Sequence, residues 1–154
     1  MNRMQNPTET AQLSRLIQQK HGLLVQLRDL ARKQLSLVDA GDMTALLRLL
    51  ATKQNLLAEV QQVEQELDPF RQQEPESRVW RDPSVRQRTA LLADECTGLL
   101  QNTFDLETQA ESALSSHCDA TAKRVQTATS ATHARHAYVL KSTTRTGSID
   151  LCAE

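Results

Sequence analysis

The feature that most constrains this fold is the spacing of leucines between residues 13 and 67. Side chains at alternating steps of three and four residues run along two segments, separated by a short turn at residues 39–42: Leu13, Leu16, Lys20, Leu23, Leu27, Leu30, Gln34 and Leu37, then Leu46, Leu50, Lys53, Leu57, Val60, Glu64 and Leu67. This spacing places each set on one stripe of a helix, as in helices packed lengthwise. The short turn predicts that the two helices are antiparallel neighbours.

A second apolar row widens both stripes, which predicts that the hairpin packs against a third helix. The added positions are Ile17, Leu24, Ala31 and Val38, followed by Leu49, Leu56 and Val63. Between Ser84 and Leu140 there is no proline and a single glycine, which favours one long helix. The stripe predicted for its first half consists of Val85, Leu92, Leu99, Leu106 and Ala113, supported by Leu91, Leu100, Phe104, Ala110 and Leu114.

The pattern predicts an all-α fold, an elongated antiparallel bundle of three long helices in one domain. We expect helix 1 at residues 8–39, helix 2 at 43–68, a loop at 69–83, helix 3 at 84–140 and a disordered tail at 141–154, with the first seven residues frayed. Thr8, Asp42 and Asp82 are candidate N-caps. Pro69 is expected to stop helix 2. Phe70 and Trp80 are expected to plug the open end of the bundle, with a docking loop as the alternative.

Composition limits the class of protein. Four aromatic residues, four glycines and four prolines in 154 residues fit a thin core of few, long elements. The net charge of -1 gives no overall attraction to nucleic acid, and no apolar run reaches the roughly 18 residues of a membrane span. The opening residues have no signal-peptide core, so we expect a cytoplasmic protein. The three cysteines are expected to be free thiols.

The polar residues within the stripes cost stability unless they are paired. For Lys53 we expect either an acidic partner on helix 3 or an extended side chain that reaches solvent at the bundle edge. No catalytic constellation is present, so an enzyme and a cofactor are not expected. His117, His133 and His136 are too far apart along one helix to form a metal site by themselves.

Helix 3 is expected to be longer than the hairpin, so that residues 117–140 project beyond it. The alternative is a break near Ser115 and Ser116, with a fourth helix folding back. This second half is rich in alanine and threonine, and between residues 112 and 145 its charged residues are Lys123, Arg124, Arg135, Lys141 and Arg145 against Asp119. A helix that buries so little of itself is a candidate binding surface. The predicted contact residues are Lys123, Arg124, Val125, Arg135, Tyr138, Val139 and Leu140, with self-association or fraying as alternatives.

The first two helices resemble the FlgN-type flagellar export chaperones. The similarity lies in LRDLARKQL at residues 27–35, DAGDM at 39–43 and LLRLLATKQNLLAEV at 46–60, and it extends over about residues 13–114. It implies a cytoplasmic, non-enzymatic chaperone with a helical-bundle fold. Its partner would be the C-terminal amphipathic helix of a secreted hook–filament junction subunit, which it escorts to the export gate. In that family the C-terminal helical segment engages the subunit.

Three functions therefore remain open at the level of sequence. The first is the export chaperone. The second is a homodimeric structural coiled coil, in which the end of helix 3 is the dimer seam. The third is a basic helix that docks on nucleic acid or an anionic membrane, and it requires an affinity that falls steeply with salt.

Overall fold

The computed structural model of the chain describes the backbone of residues 7–149 and the side chains of residues 7–141. Over the described backbone the regular structure is helical: α1 (Pro7–Ala40), α2 (Met43–Arg71), a 3-10 turn (Pro75–Ser77) and α3 (Pro83–Ile149). The predicted all-α bundle of three long helices is confirmed. By their internal contacts the described residues form two units, which divide between Ala113 and Leu114.

The turn between α1 and α2 follows from its residues. Gly41 has φ 71°, the left-handed conformation that ends a helix. The backbone N–H groups of Gly41 and Asp42 donate to the carbonyls of Val38 and Leu37, at 3.0 and 3.1 Å. Asp42 then caps α2, because its Oδ1 accepts a hydrogen bond from the Ala45 N–H at 3.1 Å. The predicted cap and turn are confirmed.

Contacts within the first unit fix the helix directions. Leu13 and Leu16 near the start of α1 share a buried cluster with Leu67 and Phe70 at the end of α2, so α1 and α2 are antiparallel. Three pairs then join α1 to α3 in increasing order along both helices. They are Ser14 with Thr89 at 3.1 Å, His21 with Glu95 at 2.8 Å and Gln34 with Glu107 at 3.4 Å. Each helix is therefore antiparallel to the next one in the chain.

The packed face of α2 follows only part of the predicted stripe. Its continuous row of buried and partly buried positions is Leu46, Leu49, Lys53, Leu56, Val60, Val63, Leu67 and Phe70, which confirms the predicted second row of Leu49, Leu56 and Val63; Met43, Ala45 and Glu64 are also partly buried. Leu50 and Leu57, which the prediction placed in the seam, are exposed. Both rows have steps of three and four residues, so spacing did not separate them. Phe70 belongs only to the observed row, and its burial in the first cluster anchors the helix in that rotation.

The predicted stripe of α3 is confirmed, because Val85, Leu92, Leu99, Leu106 and Ala113 are buried or partly buried. Small residues complete the seam; Ala110 was predicted among them, whereas Thr89, Cys96 and Thr103 were not. Thr89, Cys96 and Ala110 are buried, and Thr103 is partly buried between them. They recur every seven residues beside Leu92, Leu99 and Leu106, as the two rows of a lengthwise seam do. Leu91, Leu100 and Phe104, predicted to support the stripe, are instead exposed, Phe104 by 67%.

Pro69 does not end α2, which continues through Arg71. Proline prevents one backbone hydrogen bond, and three contacts hold the last turn without it. Phe70 is buried in the core, and Arg71 pairs with both Glu64 and Asp68. The Gln72 N–H then closes the helix on the carbonyl of Phe70.

The connection between α2 and α3 packs back on the bundle as predicted. Trp80 is partly buried against the cluster that contains Phe70. The Thr10 hydroxyl donates to the Val79 carbonyl at 2.8 Å, which ties the connection to α1. Asp82 accepts a hydrogen bond from the Ser84 N–H at 2.9 Å, so it caps α3 as predicted. That bond holds the pKa of Asp82 below its ordinary value.

The outer helix ends differ from the predicted bounds. α1 begins at Pro7, so Thr8 lies inside the helix; proline is well suited to a first turn because it lacks the N–H that would be unpaired there. α3 continues nine residues past 140, which corrects the tail predicted for 141–149. Residues 141–149 contain no proline, and extending an existing helix is much easier than starting one. Residues 1–6 and the predicted tail at 150–154 lie outside the described residues.

Polar residues from all three helices meet within the bundle. Lys53 of α2 forms an ion pair with Glu107 of α3, and its Nζ donates to Gln34 of α1 at 3.3 Å. The Gln34 amide in turn donates to Glu107 at 3.4 Å. The acidic partner predicted for Lys53 on helix 3 is thus confirmed. We call these three residues the polar layer.

Candidate partner-binding surface

The second half of α3 exposes its side chains. Every residue from Ser115 to Lys141 is exposed, and the helix passes through Ser115 and Ser116 without a break. The largest apolar side chains here are Val125, Tyr138, Val139 and Leu140, which are 60, 78, 58 and 58% exposed. The predicted contact residues therefore lie on accessible helix, and the alternative of a break at the two serines is wrong.

Helical geometry divides the seven predicted residues into groups. At about 100° per residue, Val139 lies about 40° from Val125 on one side and Leu140 about 60° on the other. Arg135 and Arg124 follow at about 80° and 100° on the Val139 side, and Tyr138 at about 140°. Lys123 is about 160° away, on the opposite side of the helix. Six of the seven residues thus share an arc of about 200°, and Lys123 lies outside it.

The centre of that arc contains small residues that the sequence reasoning did not select. Cys118, Thr121, Ala128 and Thr132 all lie within about 60° of Val125. The hydroxyls of Thr121 and Thr132 donate to the carbonyls of His117 and Ala128, both at 2.9 Å. Because these two hydroxyls are satisfied by their own helix, burying this face leaves neither of them without an acceptor. We call the face formed by Cys118, Thr121, Val125, Ala128, Thr132 and Val139 the small-residue face.

Positive charge borders this face. Arg124 and Arg135 lie on one edge of it. The segment 115–141 also contains Lys123 and Lys141, and its one acidic residue is Asp119. A close-packing apolar strip with arginines along one edge matches an amphipathic helix that carries acids beside its apolar stripe.

The described part of the chain has no group of three or more His, Cys, Asp or Glu residues arranged to hold a metal ion. Cys96 and Cys118 are free thiols, as predicted, and burial raises the pKa of Cys96; Cys152 lies outside the described residues. None of the described helices combines the length and hydropathy of a membrane-crossing segment.

Comparison of the chain with protein-family models, with curated proteins and with solved structures gave no match.

Proposed function

We propose that this protein is a helix-binding chaperone of the flagellar export type, which holds a secreted subunit in the cytoplasm before export. The small-residue face of α3 is its binding surface. The partner is an amphipathic helix of a hook–filament junction subunit, and the escorted complex is delivered to the export gate. The chemistry of capture is helix packing, with no covalent step and no cofactor.

The single observation that supports this proposal most is the exposure of the whole stretch from Ser115 to Lys141 on a continuous helix. Small side chains let a second helix approach closely, and the added contact area stabilises the pair. The likeness of residues 27–60 to the FlgN-type chaperones supports the choice of partner. In that family the C-terminal helical segment is the part that engages the subunit.

Deletion of residues 123–154 tests the placement of the surface. We expect the truncated chain to keep the unfolding transition of the bundle, because the buried clusters lie between residues 13 and 99. Binding of a purified hook–filament junction subunit, measured by titration calorimetry, should be lost. Unchanged affinity would refute the placement.

A matched pair of variants tests the face itself. In Val125→Glu/Val139→Glu the two charges are on the small-residue face, whereas in Ala120→Glu/Ala134→Glu they are about 140° and 180° from Val125. We expect the first pair to weaken subunit binding by at least about tenfold, since it would bury charge, and the second to leave it nearly unchanged. Equal losses would mean that net charge, not the face, governs binding.

Sedimentation distinguishes the rival functions. A monomer that forms a 1:1 complex with the subunit supports the chaperone, whereas a dimer disrupted by Val125→Glu/Val139→Glu supports the homodimeric coiled coil. A basic helix on nucleic acid or anionic lipid would instead show affinity that falls steeply with salt.

A further inference from the structure

A cavity of about 260 Å³ lies between the start of α1, the connection that carries Trp80 and the first turns of α3. Its apolar lining comes from Leu13, Ile17, Pro75, Trp80, Ala90 and Ala93. The two alanines leave space where larger residues would fill it, and Trp80 offers a flat aromatic wall. The cavity therefore suits an apolar group of modest size.

Thr89 and two guanidinium groups complete the lining. Arg78 donates from Nη2 to the Phe70 carbonyl at 2.6 Å, which fixes the side chain in place. Its Nε is buried and has no acceptor among the described residues, and burial lowers the pKa of Arg78. Arg86 is the second cation of the lining, and none of the described side chains that line the cavity is acidic. The cavity therefore presents positive charge and a buried Nε–H donor of Arg78, and both features favour an anionic ligand.

Arg78 also lines a neighbouring cavity of about 190 Å³, which it shares with Leu13 and Ile17. Leu67 and Phe70 contribute apolar surface on that side. Arg78 therefore stands between two small cavities that both have apolar walls, and Lys20 and Arg71 add positive charge to the second. A ligand that binds it can place an apolar group beside its anionic group with little rearrangement of the protein.

We propose that this site binds a carboxylate joined to one apolar side chain, and that its occupant is the C-terminal residue of a partner polypeptide. A planar carboxylate matches the fork of a guanidinium, and capture of a terminal carboxylate is a general mode of peptide recognition. The volume is below the roughly 300–1,000 Å³ that encloses a whole drug-sized ligand. It suits a single terminal side chain whose peptide continues into solvent. This site is independent of the proposed surface on α3, so either can fail without the other.

Trp80 provides the readout, because it is the only tryptophan of the chain and lines the cavity. The full-length protein is titrated with the peptide acetyl-Gly-Ser-Gly-Leu bearing a free carboxylate, with the same peptide as an amide, and with octanoate. We expect saturable fluorescence changes with the free acid. The affinity for the amide should be lower than that for the free acid by at least about tenfold. Equal binding of acid and amide would overturn the carboxylate assignment. Tighter binding of octanoate than of the peptide would overturn the polypeptide assignment.

Variants locate the binding energy. Arg86→Gln should lower the affinity for the free-acid peptide by about tenfold. Arg86→Lys should restore part of that affinity. Arg88→Gln is the matched control, since it removes the same charge from the same helix outside the cavity lining. Arg78→Gln should also weaken binding, although it removes a contact to Phe70, so its fold is checked by circular dichroism. Normal binding by Arg86→Gln, or an equal loss in Arg88→Gln, would refute the site.

Discussion

The two halves of α3 are both helical but differ in what makes them so. From Pro83 to Ala113 the helix contributes Thr89, Cys96, Leu99 and Ala110 to a buried seam shared with α1 and α2. From Ser115 to Lys141 every side chain is exposed. The first half is held by packing, and the second by alanine propensity and extension from an existing helix. Helical continuity therefore does not indicate where the core ends; burial does.

The largest expected contrast comes from deleting methyl groups in the two halves of the molecule. Leu24 is 1% exposed and packs in the cluster with Cys96 and Leu99, so Leu24→Ala should lower the free energy of unfolding by about 2–5 kcal/mol. Val125→Ala, on the exposed half of α3, should change it by less than about 0.5 kcal/mol. Urea unfolding followed by circular dichroism measures both. If both substitutions lowered the free energy of unfolding by a similar amount, Val125 would have to be packed, and the contrast between the two regions would be wrong.

The polar layer gives an intermediate effect. Lys53→Met leaves Glu107 without its cation in a partly buried place, and should lower the free energy of unfolding by about 1–3 kcal/mol. Lys53→Met/Glu107→Leu should recover part of that loss, because no lone carboxylate remains. Lys33→Met, at an exposed position of α1, is the control. A double variant less stable than the single one would contradict this account.

The smallest effect is a pH dependence confined to the packed part of the molecule. Burial tends to raise the pKa of Glu64, but hydrogen bonds from Lys20 and Arg71 outweigh it and hold the pKa below the ordinary 4.5. Since the native pKa is lowered, this stability is present above pH 4.5 and is lost as pH falls through the native value. Glu64→Gln should flatten that part of the pH profile of unfolding, and Glu66→Gln should not. If the pH profile of unfolding were unchanged in Glu64→Gln, a group other than Glu64 would cause the loss of stability at low pH.

The sequence predicted the number, order and direction of the helices, because leucine spacing and turn chemistry are local signals. Gly41 and Asp42 specified the hairpin, and Asp82 specified the start of α3. Both rows of α2 were predicted to lie on the packed face, and their equal spacing did not show that the row through Leu49 is buried while Leu50 and Leu57 are exposed. Only the distant burial of Phe70 separates them.

Two seam residues of α3, Thr89 and Cys96, and the small-residue face were not predicted, for one physical reason. Thr89 and Cys96 become core residues because helices pass close to them, which depends on the assembled bundle. On the exposed half, Thr121 and Thr132 appear polar in a sequence, yet their hydroxyls are occupied by their own helix. The cavity beside Trp80 was not predicted, since its lining comes from separate parts of the chain.

The polar layer has a consequence for how the helices can align. Leucine seams repeat every seven residues, so a bundle held by leucines alone has several alignments of similar energy. In this chain, the residues seven positions from Glu107 are Leu100 and Leu114, and those seven positions from Lys53 are Leu46 and Val60. A slide of one helix by a single heptad would set an ammonium or a carboxylate against leucine or valine. The polar layer therefore fixes the register of the three helices, because any other alignment would bury an unpaired charge.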